Sequence, residues 1–186
     1  MKKAFLLGVT LLATFSLTGC DMIQKLIQGG QDVVDEKKEY NYDDFAVLIA
    51  GTKFSFDYTK CTEVIELNDE KTTHEYTYDS ENNIWYYVTG SEDDPITHTV
   101  NVEIANFVKQ CKDVSAILKK NVDNIFKFSA SKKGYFITAH YKTDSTQLDG
   151  EYDFNTDGLK TLFDETQTDL DSVKATKRKV TYTYSK

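Results

Sequence analysis

The 186-residue chain carries 30 acidic against 22 basic residues, a formal net charge of -8 and a pI of about 4.9. That balance argues against a nucleic-acid binder, which needs surplus Lys and Arg to displace counterions, and leaves no basic surface to hold an anionic membrane. Twelve Tyr, 11 Phe, one Trp and one Pro describe an aromatic-rich body of one-domain size with no Pro-rich linker.

The N-terminus has its own pattern. Met1-Lys2-Lys3 is a short basic start, and Ala4 to Thr18 is uncharged and rich in Leu and Phe. That run has the length of a signal-peptide core and is short of the ~20 apolar residues needed to cross a ~30 Å bilayer interior. It ends in Leu17-Thr18-Gly19-Cys20, small residues before a cysteine. The arrangement resembles the lipobox of bacterial lipoproteins. The resemblance implies cleavage before Cys20, a diacylglyceryl group on its thiol, and palmitate-type acylation. It also implies a place on the extracytoplasmic side of the cell membrane, at the cell surface. Two acyl chains hold a protein where one holds it only marginally, since each buried methylene contributes ~0.8 kcal/mol.

The chain therefore divides into a signal peptide over 1–19, a lipidated N-terminus and tether over 20–39, and one domain over 40–186. Loss of 1–19 removes Lys2 and Lys3, leaving 20 basic against 30 acidic residues and a net charge of -10. Arg178 is the single arginine; with abundant Lys, Asn, Ile and Tyr this points to an A+T-rich bacterial genome.

Within the body, Asp43-Asp44 and Gly51 mark the start and stop of a short helix. The period then drops to two. Phe54, Phe56 and Tyr58 alternate with polar residues, as do His74, Tyr76 and Tyr78, and both stretches read as strands. Asp79 to Asn83 is a turn, Ile84 to Thr89 a strand, Gly90 to Pro95 a loop, and Ile96 to Val102 another strand. Between Glu103 and Lys120 the apolar positions Ile104, Phe107, Val108, Cys111, Val114 and Leu118 fall on one helical stripe, with a break near Asp113 conceivable. Five more strands follow: Phe126–Ala130, Tyr135–Tyr141, Gly150–Phe154, Leu159–Thr166 and Lys179–Tyr184. Lys132-Lys133-Gly134 and Thr156-Asp157-Gly158 read as tight turns between them. Helix, strands, helix, strands with short connections is an α+β order, a curved antiparallel sheet with helices packed on one face.

In element order over 40–186 the body resembles half-barrel lipoproteins of the lipoprotein-carrier type, LolA and the LppX-like proteins, without a shared motif. That resemblance implies a half-barrel enclosing an apolar cavity. Phe54, Phe56, Tyr76, Tyr78 and Trp85 are then the candidate ligand-binding residues; the competing reading is that they fill the core of a Tyr-rich sheet.

Other constellations are weaker. Asp153-Phe-Asn155-Thr-Asp157-Gly158, with Asp164 at the twelfth position, follows the opening of a calcium loop. Its last ligand is Asp instead of Glu, Lys160 occupies an apolar position, and strands flank it, so a hairpin turn accounts for it. Ser129 and Lys132 satisfy S-x-x-K without its companion motifs. His74, His98 and His140 sit on separate strands without ligand spacing. The expectation is no metal, no cofactor and no catalytic residue, and hence no enzyme. Cys61 and Cys111 remain as one candidate disulfide or as two buried free thiols. Function is expected to be that of a surface lipoprotein binding an apolar or amphipathic ligand, with a protein-protein interaction or scaffold module as the alternative. Its partners are the membrane through the lipid, a lipid or other apolar ligand or a protein, and no nucleic acid.

Overall fold

The computed structural model describes residues 36–186. The segments expected to be signal peptide, lipobox with Cys20 and the tether up to residue 35 lie outside the described residues. The body is an α+β fold dominated by one antiparallel sheet. Its first half comprises β1 (Lys38–Tyr40), α1 (Tyr42–Gly51), β2 (Lys60–Leu67), β3 (Glu70–Asp79), β4 (Ile84–Ser91) and β5 (Asp94–Val100). The second half comprises α2 (Ile104–Leu118), β6 (Phe126–Ser131), β7 (Gly134–Lys142), β8 (Thr146–Phe154), β9 (Lys160–Asp169) and β10 (Lys174–Ser185).

The ten strands form a single open sheet in the order β1-β6-β7-β8-β9-β10-β2-β3-β4-β5, every neighbour antiparallel. Registers such as Phe128↔Ile137, Ile137↔Tyr152, Tyr152↔Phe163, Phe163↔Val180 and Val180↔Ile65 carry one inner face across the molecule. Side chains alternate across each strand, so these residues share a side.

Both helices cover the same part of that face. Asn41 caps α1, its side chain accepting from the Asp44 amide at 2.8 Å. α1 buries Tyr42, Phe45 and Ile49, and α2 buries Ile104, Val108, Cys111 and Ser115, each set along one helical stripe. They close on Phe126, Phe128, Ile137, Ala139, Tyr152 and Phe154 to form the first core. α2 is continuous through Asp113 and ends at Lys119, which adopts the left-handed conformation (φ 51°). A second core lies on the same face further along the sheet: Cys61, Tyr76, Trp85, Val180 and Tyr182, with Val102 and Leu159.

Four sequence expectations need correction. Residues 52–59 do not form a strand: Phe54, Phe56 and Tyr58 do alternate inward, but the segment crosses the face of the sheet and joins no ladder before Lys60. Its Phe54 packs on the first core and its Phe56 and Tyr58 on the second, so the period of two reports burial, not pairing. The stretch from Gly90 to Pro95 is not a loop; β4 and β5 run on to pair Ser91 with Asp94. Lys38 and Glu39, read as tether, belong with Tyr40 to β1 and pair with β6. Finally, Cys61 and Cys111 are free and buried in different cores, so the candidate disulfide is absent. Burial pushes each thiol up to about 12.

Candidate functional site

A cleft of 680 Å³ opens in the body where four segments converge. One wall is the crossing segment Thr52–Phe56. The others are Tyr78 and Asn83 of the β3–β4 hairpin, Glu103 to Ala105 at the start of α2, and Asp157 to Leu159 of the β8–β9 turn. The turn is built by Asn155, whose side-chain oxygen accepts from the amides of Asp157 (3.0 Å) and Leu159 (2.9 Å). Gly158 completes it at φ +73°, with the Phe54 ring so near that an added Cβ would meet it at 2.7 Å. Only glycine lets that ring lie down as the cleft wall.

The cleft walls are aromatic and its rim is charged. Phe56 meets Tyr78 edge-on at 5.0 Å and stacks on Trp85 at 5.9 Å. Glu103 accepts from Asn83 (3.1 Å) and Asn106 (3.2 Å), and Asp157 accepts from the Tyr58 hydroxyl (3.2 Å). None of the ion pairs among the described residues includes Glu103, Asp157 or Lys53, the third charge on the rim. The negative field shows in the phenols. Tyr58 is held above the usual tyrosine range chiefly by its bond to Asp157, and Tyr78 by burial and then by Glu103.

Of the five aromatic residues singled out from the sequence, Phe54, Phe56 and Tyr78 line this cleft. Tyr76 and Trp85 do not; at 6% and 2% exposure they belong to the second core directly behind it. The histidines are not gathered into a ligand set, and among the described residues no group of three metal-ligating side chains occurs. Asp153, Asp157 and Asp164 belong to the β8–β9 hairpin and its turn, as a hairpin reading requires. Ser129 is a residue of β6.

Sequence reasoning missed a second polar group, on the inner face of the sheet. Glu63, 5% exposed, accepts from the Tyr76 hydroxyl at 2.8 Å and lies 3.1 Å from His74 Nδ1. His74 stacks on Tyr87 at 5.1 Å, and Tyr87 on His98 at 4.6 Å, a three-ring ladder across β3, β4 and β5. Lys160 joins the group through a break in register. Asp153 pairs with Leu162 but Phe154 with Lys160, so Thr161 is the extra residue of a bulge. The bulge turns Lys160 inward, where it is 8% exposed. Its Nζ lies 5.1, 5.8 and 5.9 Å from the ring centres of Phe107, Phe163 and Tyr182 and 3.5 Å from the Asn101 carbonyl. Burial pushes this ammonium down to about 8, against the pull of the Glu63 carboxylate.

Compared with known proteins, the chain matches no protein-family model, no curated protein and no solved structure.

Proposed function

We propose that the chain is a lipoprotein, anchored through a lipid on Cys20 at the outer face of a bacterial membrane, whose body binds an apolar or amphipathic small molecule. The cleft carries the second half of this reading. Its 680 Å³ is within the range of small-molecule sites, and Phe54, Phe56 and Tyr78 offer apolar wall beside a few placed polar groups. The half-barrel form that a carrier needs is supported by one open sheet with both cores on the same continuous face.

Trp85 supplies the test. It sits one ring behind the wall, stacked on Phe56 and 4.9 Å from Tyr78, so occupancy alters its surroundings without displacing it. Titration with single-chain amphiphiles is expected to change Trp85 emission saturably, and Phe54→Ala to weaken the effect. Native mass spectrometry of membrane-extracted protein should show a bound small molecule. An unsaturable response from every amphiphile, together with a bare mass, overturns the reading. For the anchor, Cys20→Ala should abolish palmitate labelling and move the protein out of the membrane fraction; unchanged labelling and fractionation overturn that half.

One observation favours the alternative, a protein-interaction module. Beyond the second core the inner face continues uncovered through Tyr87, His98 and the exposed Ile96 (53%) and Leu67 (42%). Such a face suits a partner surface. Substitutions there would leave amphiphile binding in the cleft intact, which separates the two readings.

A further inference from the structure

Resting on the cleft as the ligand site, we propose that it selects amphiphiles with a cationic head, an alkylammonium or quaternary amine, over anionic or uncharged ones of the same chain length.

Two independent features converge on this chemistry. The first is the carboxylate pair on the rim. Glu103 and Asp157 take neutral donors from Asn83, Asn106 and Tyr58, which orient them without neutralising them. Both stay outside the ion pairs among the described residues, so neither has a cationic side chain at ion-pair distance there. The second is the aromatic lining of the same cleft. Phe54, Phe56 and Tyr78 line the cleft; aromatic surface takes up hydrocarbon and also attracts a cation with a strength that grows as water is excluded. Carboxylates alone would bind any small cation loosely, and rings alone any apolar chain. Rings and carboxylates around one opening favour a cation that carries hydrocarbon.

Lys53, the remaining charge lining the cleft, is an exposed residue of the crossing segment and pairs with neither carboxylate. Glu103 stands at the start of α2 and Asp157 in the β8–β9 turn, so both carboxylates are carried by backbone that the fold holds in place. The turn itself is fixed by the Asn155 bonds and by Gly158 under the Phe54 ring. A cationic head would meet carboxylates already in place and lose little on ordering them.

The experiment is a titration of the mature protein, followed by Trp85 emission and calorimetry, with three twelve-carbon amphiphiles below their micellar concentrations: dodecyltrimethylammonium, dodecyl sulfate and dodecyl maltoside. The expected order is trimethylammonium tightest, by ~10-fold or more over maltoside, with sulfate weakest. The variant Glu103→Gln/Asp157→Asn should lose that preference while binding maltoside as before, which also shows that it has folded. Equal affinity for the three heads, or a preference for sulfate, overturns the cationic inference and leaves the cleft as a ligand site. Absence of saturable binding for all three overturns the cleft reading itself. A preference that survives in the double variant assigns the selectivity elsewhere and likewise overturns the inference.

Discussion

Tyr76 donates its hydroxyl hydrogen to Glu63 across the β2–β3 ladder at 2.8 Å, a bond buried in the second core. A carboxylate taken out of water needs its donors, and here they come from the neighbouring strand. Tyr182, on the other flank of Glu63, has its phenol pushed up by burial first and by this carboxylate second. Tyr76→Phe therefore removes a charge-assisted bond and should cost about 2 kcal/mol. Urea unfolding checks it: the midpoint falls while the slope stays unchanged.

Lys160 should behave in the opposite way. Its buried ammonium has rings around it and no carboxylate within an ion-pair distance among the described residues. Lys160→Met keeps the length and removes the desolvation cost, so the variant is expected to match or exceed the parent in stability at neutral pH. The pH dependence follows from the sign of the shift. The native amine is held down to about 8, whereas the unfolded one titrates near ~10.4. Between those values the unfolded state binds more protons, so the parent gains stability as pH rises, on the order of 3 kcal/mol in all. The Met variant lacks that gain, and the difference between the two unfolding midpoints across pH 7.5–10 measures it.

The two body cysteines should be silent under native conditions. Cys61 and Cys111 lie in separate cores with thiols pushed up to about 12. A disulfide reagent is expected to miss both in the folded protein and to titrate both in denaturant, while a reducing agent leaves the melting temperature unchanged. A fall in melting temperature on reduction would mean that a bond exists.

The β8–β9 turn distinguishes a hairpin from a calcium loop by mutation. Asn155→Ala loses both bonds that form the turn and should cost ~1–2 kcal/mol. Asp164→Ala should cost less than about 0.5 kcal/mol, and added calcium should leave the melting temperature of both variants and parent unchanged. A calcium-dependent rise abolished by Asp164→Ala would contradict this.

How much of this was legible depended on what each pattern measures. The stripe on α2 was readable because six apolar residues at helical spacing have one physical solution, and the turn at Asp79–Asn83 because its composition is local. Alternation at Phe54–Tyr58 misled because the periodicity shows where side chains go, not what the backbone bonds. Strand β2 was hidden for a related reason: its inward phase is Cys61, Glu63, Ile65 and Leu67, so a buried carboxylate stands where an apolar residue would have marked it. The turn after it, Asn68-Asp69 with both φ positive (47° and 75°), is the one clue to that hairpin. The cleft draws on four segments spread from Thr52 to Leu159, and only tertiary packing assembles them. Phe54, Phe56 and Tyr78 were visible as aromatics; that Glu103 and Asp157 would face them was not.

The strand order also sets a timetable. β2 has two neighbours, β3 from the adjacent hairpin and β10 from the far end of the chain, with Lys60 paired to both Thr77 and Ser185. Until β10 has been synthesised, β2 and β9 are open edges carrying unmet backbone groups, and the hairpins β2–β5 and β6–β9 are two unjoined plates. Contacts so distant in sequence form slowly, and exposed edges invite pairing with other chains. A nascent chain stalled before Lys174 would therefore be a sticky, half-zipped species. Closure of the body therefore waits for β10, the strand that joins the two plates.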